Sequence, residues 1–417
     1  MKTASVHSLK LRLLSPLLLA ALSALSARAQ TFNVIHAFTG GLDGFQPFAG
    51  VTIDQGGNLY GTTTEYVRGS VFQMRHRSGG WTLTTLYQFG FGEWIPQSRI
   101  IQGPGGALYG TTSTGGTSPN CFEFGCGTVY GIRPPQTICR TSSCPWAATF
   151  VSFTGNDGDA PGFVDPAFDA AGNMYVTTTT GGTSFDGNIV QLTRAGGGVW
   201  IPTSIYNFSG PDGISPYSGV TLDAQGNLYG TTWMGGPNGF GTVYRLTPSG
   251  SGWTLDTLYA FRNTSDGADP VGGLVFDQAG NLYGTTEKGG SGNGGVVFEL
   301  SPSGGGWNFT VLHSFTGTYG PQATLTIDAA GNLYGTTYSV GAFQEGSVFK
   351  LTRTNGGWTF TDLHDFTGGS DGANPLGGVT LDSGGNMYGT AAYGGIESNN
   401  CPSDQNPGCG TVWEITP

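Results

Sequence analysis

A seven-residue run, Gly226-Asn227-Leu228-Tyr229-Gly230-Thr231-Thr232, returns in near copies along the whole chain. Its tyrosine recurs as Tyr60, Tyr109, Tyr175, Tyr229, Tyr283, Tyr334 and Tyr388, with consecutive copies 49 to 66 residues apart. A period of that size marks a repeat architecture, in which one unit cannot bury its own apolar faces and must stack on its neighbours. A chain of 417 residues would ordinarily suggest two or three domains. Seven fractional units closing on one another make a single domain instead.

The fourth copy shows what a unit contains. Residues 218–223 (SGVTLD) alternate apolar and small side chains and suit a short strand. Residues 224–226 turn the chain, and residues 227–232 form a second strand. After a Gly-rich loop, residues 241–246 (GTVYRL) give a third strand and residues 253–261 (WTLDTLYAF) a fourth. Helical periodicity is absent beyond residue 30. Four strands repeated seven times predict an all-β, seven-bladed β-propeller of four-stranded blades. The ends of the chain carry the same message: residues 32–38 match a fourth strand, whereas residues 410–415 match a third strand with nothing after it. The N-terminal strand is therefore expected to complete the last blade and close the ring.

Residues 1–29 stand outside the repeat. Lys2, Lys10 and Arg12 precede an apolar run from Leu13 to about Leu25, and Ala27-Arg28-Ala29 fits a small-x-small cleavage site. This is the pattern of a secretory signal peptide, with the propeller spanning residues 30–417. The apolar run is short for a membrane span, and no second one follows. Without residues 1–29 the chain has 12 basic against 27 acidic residues, a formal charge of −15, which disfavours nucleic acid and anionic membranes. The expected location is secreted, periplasmic or at the cell surface, and the expected state a monomer. Gly is abundant at 75 residues, but it falls at set places in each repeat and reads as turn chemistry. The six cysteines form three close pairs, Cys121 with Cys126, Cys139 with Cys144 and Cys401 with Cys409. Export favours disulfides, proximity favours these pairings among the 15 possible, and the lack of accompanying histidine argues against zinc.

The recurring order is Asp-x-x-Gly-Asn-Leu-Tyr-Gly-Thr-Thr, Gly-Thr-Val-(Phe/Tyr)-x-Leu-(Thr/Ser)-Pro, Gly-Gly-Trp, then Leu-(Tyr/His)-x-Phe. It resembles the GloVer tandem repeat of exported bacterial proteins over nearly all of residues 31–417. The resemblance implies export and a propeller-like repeat, with no established activity and no catalytic residues. Many such proteins end in an anchoring segment; here Pro417 follows soon after the last strand, so release is expected. The second copy has Ala107 in place of Asn, and the third has Val176 in place of Gly.

Two carboxylate sets compete as candidate sites. Asp54, Asp169, Asp223, Asp277, Asp328 and Asp382 open the Asp-x-x-Gly-Asn turns and are read as turn caps. Asp43, Asp157, Asp212, Asp266 and Asp371 open an Asp-Gly-x-x-Pro loop between blades. That loop should emerge on the same face as the loop between second and third strands, giving a broken carboxylate ring beside Trp233 and Tyr393. These seven residues are the candidate ligand site, because loops on a rigid scaffold carry function; the competing reading is a turn motif. His36, His313 and His364 share a fourth-strand position with Tyr87, Tyr206 and Tyr259, which points to packing. Trp81, Trp200, Trp253, Trp307 and Trp358 are read as packing anchors. No Ser/His/Asp or Cys/His arrangement and no calcium loop stands out, so no catalytic or metal residue is assigned.

Because nearly every polar motif is repeated, the sequence favours an exported binding or scaffold module over an enzyme. Its ligand would be a polysaccharide, a cell-surface component or a protein, and no cofactor is called for. The alternative is an extracellular hydrolase or lyase on the same fold, with calcium in the central channel.

Overall fold

The computed structural model describes residues 30–64, 69–90, 95–121, 124–135, 146–250, 252–401 and 407–417. The proposed signal peptide and the Cys139/Cys144 pair lie outside them. Seven antiparallel four-stranded sheets follow one another, blades I to VII in chain order, so the seven-bladed propeller is the observed fold. Blade VII is built from Thr380–Leu381, Met387–Ala391, Thr411–Thr416 and, as its outermost strand, Thr31–Ala37 from the N-terminus. Thr31 pairs with Thr416 and Ala37 with Thr411, with one irregularity between Val34 and His36.

The second strand of each blade, such as Leu228–Thr232 in blade IV, is buried along its whole length. Its five positions divide the work of the repeat. Leu228 is fully buried in the core between blades III and IV. The Tyr229 hydroxyl donates to Asp223 Oδ2 at 3.0 Å. Gly230 faces Tyr244 on the third strand so closely that a Cβ would overlap the phenol oxygen. The Thr231 hydroxyl donates to the Gly272 carbonyl of blade V at 3.0 Å, and Thr232 bonds Thr242 of its own blade at 2.9 Å. Equivalents of Thr231 join each blade to the next: Thr177 to Ser218, Thr285 to Ala323 and Thr336 to Gly377. Across the closure, the Gly50 backbone N–H donates to Thr390 Oγ1 at 3.0 Å. The ring is thus sealed between blades VII and I through the same threonine register, with the hydroxyl here as acceptor.

Aromatic contacts add a second seam. The fourth-strand tryptophans pack edge-on against the second-strand tyrosine of the preceding blade, as Trp200 on Tyr109, Trp253 on Tyr175 and Trp81 on Tyr388, with centroids 5.8–6.3 Å apart. They are packing anchors, as expected. Val176 in blade III faces Val190, where other blades place Gly opposite an aromatic ring, so the volume lost from one strand is returned by the other.

Candidate functional site

The Asp-x-x-Gly-Asn aspartates are the turn caps that the sequence suggests. Asp223 Oδ1 accepts the Gln225 and Asn227 backbone N–H groups at 2.9 Å, and Oδ2 accepts the Asn227 amide and the Tyr229 hydroxyl. Burial alone would raise the Asp223 pKa, but these four donors hold it below the usual carboxylate value. Asp54, Asp277 and Asp328 show the same lowering for the same reasons.

The Asp-Gly-x-x-Pro aspartates sit on the opposite face, each gathered into its own turn. Asp43 accepts the Thr39 backbone N–H and hydroxyl, Asp157 those of Thr154, and Asp371 those of Thr367. Asp212 accepts the Ser209 backbone N–H, and Asp266 that of Thr264. Four of the five also meet the preceding fourth strand: His36 Nε2 lies 3.3 Å from Asp43, His364 Nε2 lies 3.1 Å from Asp371, Tyr259 donates to Asp266 at 2.9 Å, and Tyr206 donates to Asp212. Histidine and tyrosine exchange at this position because each puts a polar atom at the far end of a flat ring. That pairing is not visible from the sequence, where the position reads as packing alone. Burial lowers the His36 and His364 pKa values, and the aspartates oppose it.

The rest of the motif is a latch between blades. The residue before Pro is left-handed at Gln46, Ala160, Ser215, Asp269 and Asn374, with φ of 52–56°. The Ser215 N–H donates to the Asp186 backbone carbonyl of blade III, and the Asn374 N–H to the Glu345 backbone carbonyl of blade VI. The proline that follows abuts a glycine of that same preceding blade: Pro216 against Gly187, Pro270 against Gly241, Pro375 against Gly346.

The structure places a cavity of about 210 Å³ on the propeller axis, and its lining comes from all seven blades. Two registers supply it, the residues just before each first strand and those just after the second-strand Thr-Thr. Among them are Gln97, Arg99, Phe163, Asp165, Tyr217, Trp233, Glu287, Gln322 and Thr324. Trp233 is here, and Tyr393 packs edge-on behind Phe48, whose ring lines the wall, at 6.2 Å. None of the five loop aspartates lines the cavity. They frame its face, while the lining belongs to residues that differ from blade to blade.

One wall is aromatic. Phe163 and Tyr217 stack with centroids 5.7 Å apart and planes 19° apart, and Tyr217 meets Trp233 at 5.6 Å and 66°. Among the described residues, the buried Trp233 indole N–H has no hydrogen-bond acceptor. Arg99 and Asp165 form the charged corner: the Arg99 backbone N–H donates to Oδ1 at 3.0 Å, Nε to Oδ2 at 3.1 Å, and a terminal guanidinium nitrogen lies 3.0 Å from Oδ2. Glu287, 7% exposed, occupies in blade V the register of Trp233 in blade IV. Burial raises its pKa; Lys288 opposes the shift and Asp269 adds to it. Among the described residues no three His, Cys, Asp or Glu side chains gather as a metal site.

Fold and axial cavity together define a propeller of tandem repeats. The chain belongs to the Gloeobacter/Verrucomicrobia repeat family, whose model matches residues 96–321 and 163–403. No curated protein matched it. Among solved structures it is similar to the extracellular domain of a provisionally assigned one-component system from B. thetaiotaomicron, at 11% identity and a TM-score of 0.55, covering 92% of this chain and 40% of that one. A gluconolactonase from Xanthomonas campestris matches at 13% identity and a TM-score of 0.46, covering 94% and 92%. The PQQ-bound aldose sugar dehydrogenase from Streptomyces coelicolor matches at 13% and 0.45, covering 93% and 98%. At 11% identity the first of these likenesses speaks for the fold alone. The disulfides Cys121–Cys126 and Cys401–Cys409 fit an oxidising compartment. No helix among the described residues is long and apolar enough to cross a membrane.

Proposed function

We propose that this protein is an exported binding module whose axial cavity takes a small saccharide or the end of a polysaccharide. The observation that carries the reading is the divergence of the repeat at the cavity. Seven blades repeat their turns and cores, yet the register of Trp233 holds Thr64, Ser113, Thr179, Glu287, Tyr338 and Ala392 in the other six. A wall of Phe163, Tyr217 and Trp233 suits the C–H face of a sugar ring. Gln97, Gln322, Thr324 and Glu287 offer hydrogen bonds to its hydroxyls. The volume, below the roughly 300 Å³ at which drug-sized pockets begin, favours one ring over an extended chain.

The test is a thermal melt against a panel of monosaccharides and polysaccharides. A ligand at about 100 times its dissociation constant stabilises by about 2.7 kcal/mol, and Trp233→Ala should abolish that shift. A panel that leaves the melt unmoved overturns the reading. A second reading, a hydrolase with Glu287 as proton donor, draws on its raised pKa within the cavity. Asp165, the other lining carboxylate, is committed to Arg99, which leaves that reading without a free partner. New reducing ends or an opened lactone, lost in Glu287→Gln, would establish it.

A further inference from the structure

The axial cavity holds a carboxylate that the fold does not satisfy. Among the described residues, no hydrogen-bond donor reaches the Glu287 carboxylate, although the Gly320 N–H donates to the Glu287 backbone carbonyl at 3.0 Å. The nearest cation, Lys288 Nζ, stands 3.9 Å away and is held at 3.1 Å by Asp269. The Glu287 side chain is 9% exposed and lines the cavity, so whatever completes its hydrogen bonding, water or ligand, does so from the cavity side. A buried carboxylate left in this state carries a desolvation cost, and the fold retains it where Ala392 and Thr179 fill the same register in other blades. Arg99 leaves no positive charge to spare, since Asp165 engages it through the backbone and two side-chain contacts.

The neighbouring wall points the same way. Tyr217 and Trp233 meet at 66° and form a corner of two π-faces in the blade beside Glu287. The Glu287 charge helps raise the Tyr217 pKa, after burial, so the carboxylate acts on that corner. Aromatic faces attract cations as a carboxylate does, and a cation between them is stabilised from both sides. A neutral sugar meets Glu287 only through its hydroxyls, whereas a cation is drawn both to the carboxylate and to the aromatic faces.

We infer that the axial site selects a ligand carrying a positively charged nitrogen, an amino sugar in its protonated form, with the ammonium on Glu287 and the ring against Tyr217 and Trp233. The inference rests on the saccharide reading and narrows it to a substrate class.

Isothermal titration of the purified protein with glucosamine, glucose, N-acetylglucosamine and choline tests it at near-neutral pH. Glucosamine should bind at least about tenfold more tightly than glucose or N-acetylglucosamine, the range of one desolvated cation–π contact and one ion pair. Glu287→Gln should erase that preference while leaving a weaker, equal affinity for the sugars. Acidification should erase it too, beginning above the pH at which an ordinary glutamate protonates. Lys288, Asp269, Tyr217 and Tyr338 are the titratable groups facing Glu287, and the two tyrosines stay protonated throughout. Equal binding of glucosamine and glucose, or a preference that survives Glu287→Gln, overturns the inference and leaves the saccharide reading standing. Choline bound more tightly than glucosamine overturns the amino sugar as ligand. Failure of all four to bind a folded protein overturns both readings.

Discussion

The turn face and the mouth of the axis use the same seven blades in opposite ways. On the turn face, six blades present the same aspartate, holding the same glycine turn and the same tyrosine hydroxyl. At the mouth, the registers of Tyr217 and Trp233 change at every step around the ring: Gln97 is followed by Phe163, and Trp233 by Glu287. Packing against an identical neighbour forces identity, because a change in one blade must be met by the next. The axis is where the blades face open space, so each residue there is released from that demand. Repetition therefore marks what holds the ring, and departure from it marks what the ring presents.

The packing half of this contrast predicts the largest effect. Gly230→Ala should destabilise by about 2 kcal/mol or more, because a Cβ overlaps the buried Tyr244 ring. Tyr244→Val in the same chain should recover part of the loss, since blade III already pairs Val176 with Val190. Urea unfolding of the two single variants and the double variant measures this; a neutral Gly230→Ala would break the link between repetition and packing.

A somewhat smaller loss, about 2 kcal/mol, is expected for Asp223→Ala, which removes four hydrogen bonds. Asp328→Ala should match it within about 0.5 kcal/mol, because the turns are equivalent. Since the folded pKa is lowered, this contribution is complete above the unfolded value of 3.8 and fades as pH falls through the folded one. Chemical denaturation at neutral and acidic pH checks both size and direction.

Glu287→Gln should give the smallest effect and the opposite sign. The folded Glu287 pKa is raised, so ionisation costs stability above it and costs nothing below the ordinary 4.5. The variant should melt slightly higher than the parent at neutral pH, and the two should converge on acidification. A lower melting temperature at pH 7 would place Glu287 with the scaffold and not with the site.

Much of the scaffold was legible because repetition supplies its own alignment within one chain. Strand order, ring closure by residues 32–38 and the turn role of Asp223 all followed from comparing copies. The site was harder to see for the same reason. The comparison drew attention to Asp43, Asp212 and Asp266 because they recur, and passed over Arg99, Asp165, Tyr217 and Glu287 because they do not. The signal was present as two variable registers at fixed distances from the repeated Tyr and Thr-Thr. What no register could show is that these positions converge on one axis, since that depends on the ring having closed. Trp233 was singled out only as an aromatic in a loop, and its place in the wall came with the structure.

Pairing Thr31 with Thr416 also sets an order of events. The strand that leaves the ribosome first is the last to find its partner, and must wait while every other blade is made. Until then Thr411–Thr416 offers an open edge to any strand of suitable pattern, including that of a second molecule in the same state. Exchange of these clasps between two half-closed rings would yield linked dimers, so the speed with which a chain catches its own end governs whether it matures alone.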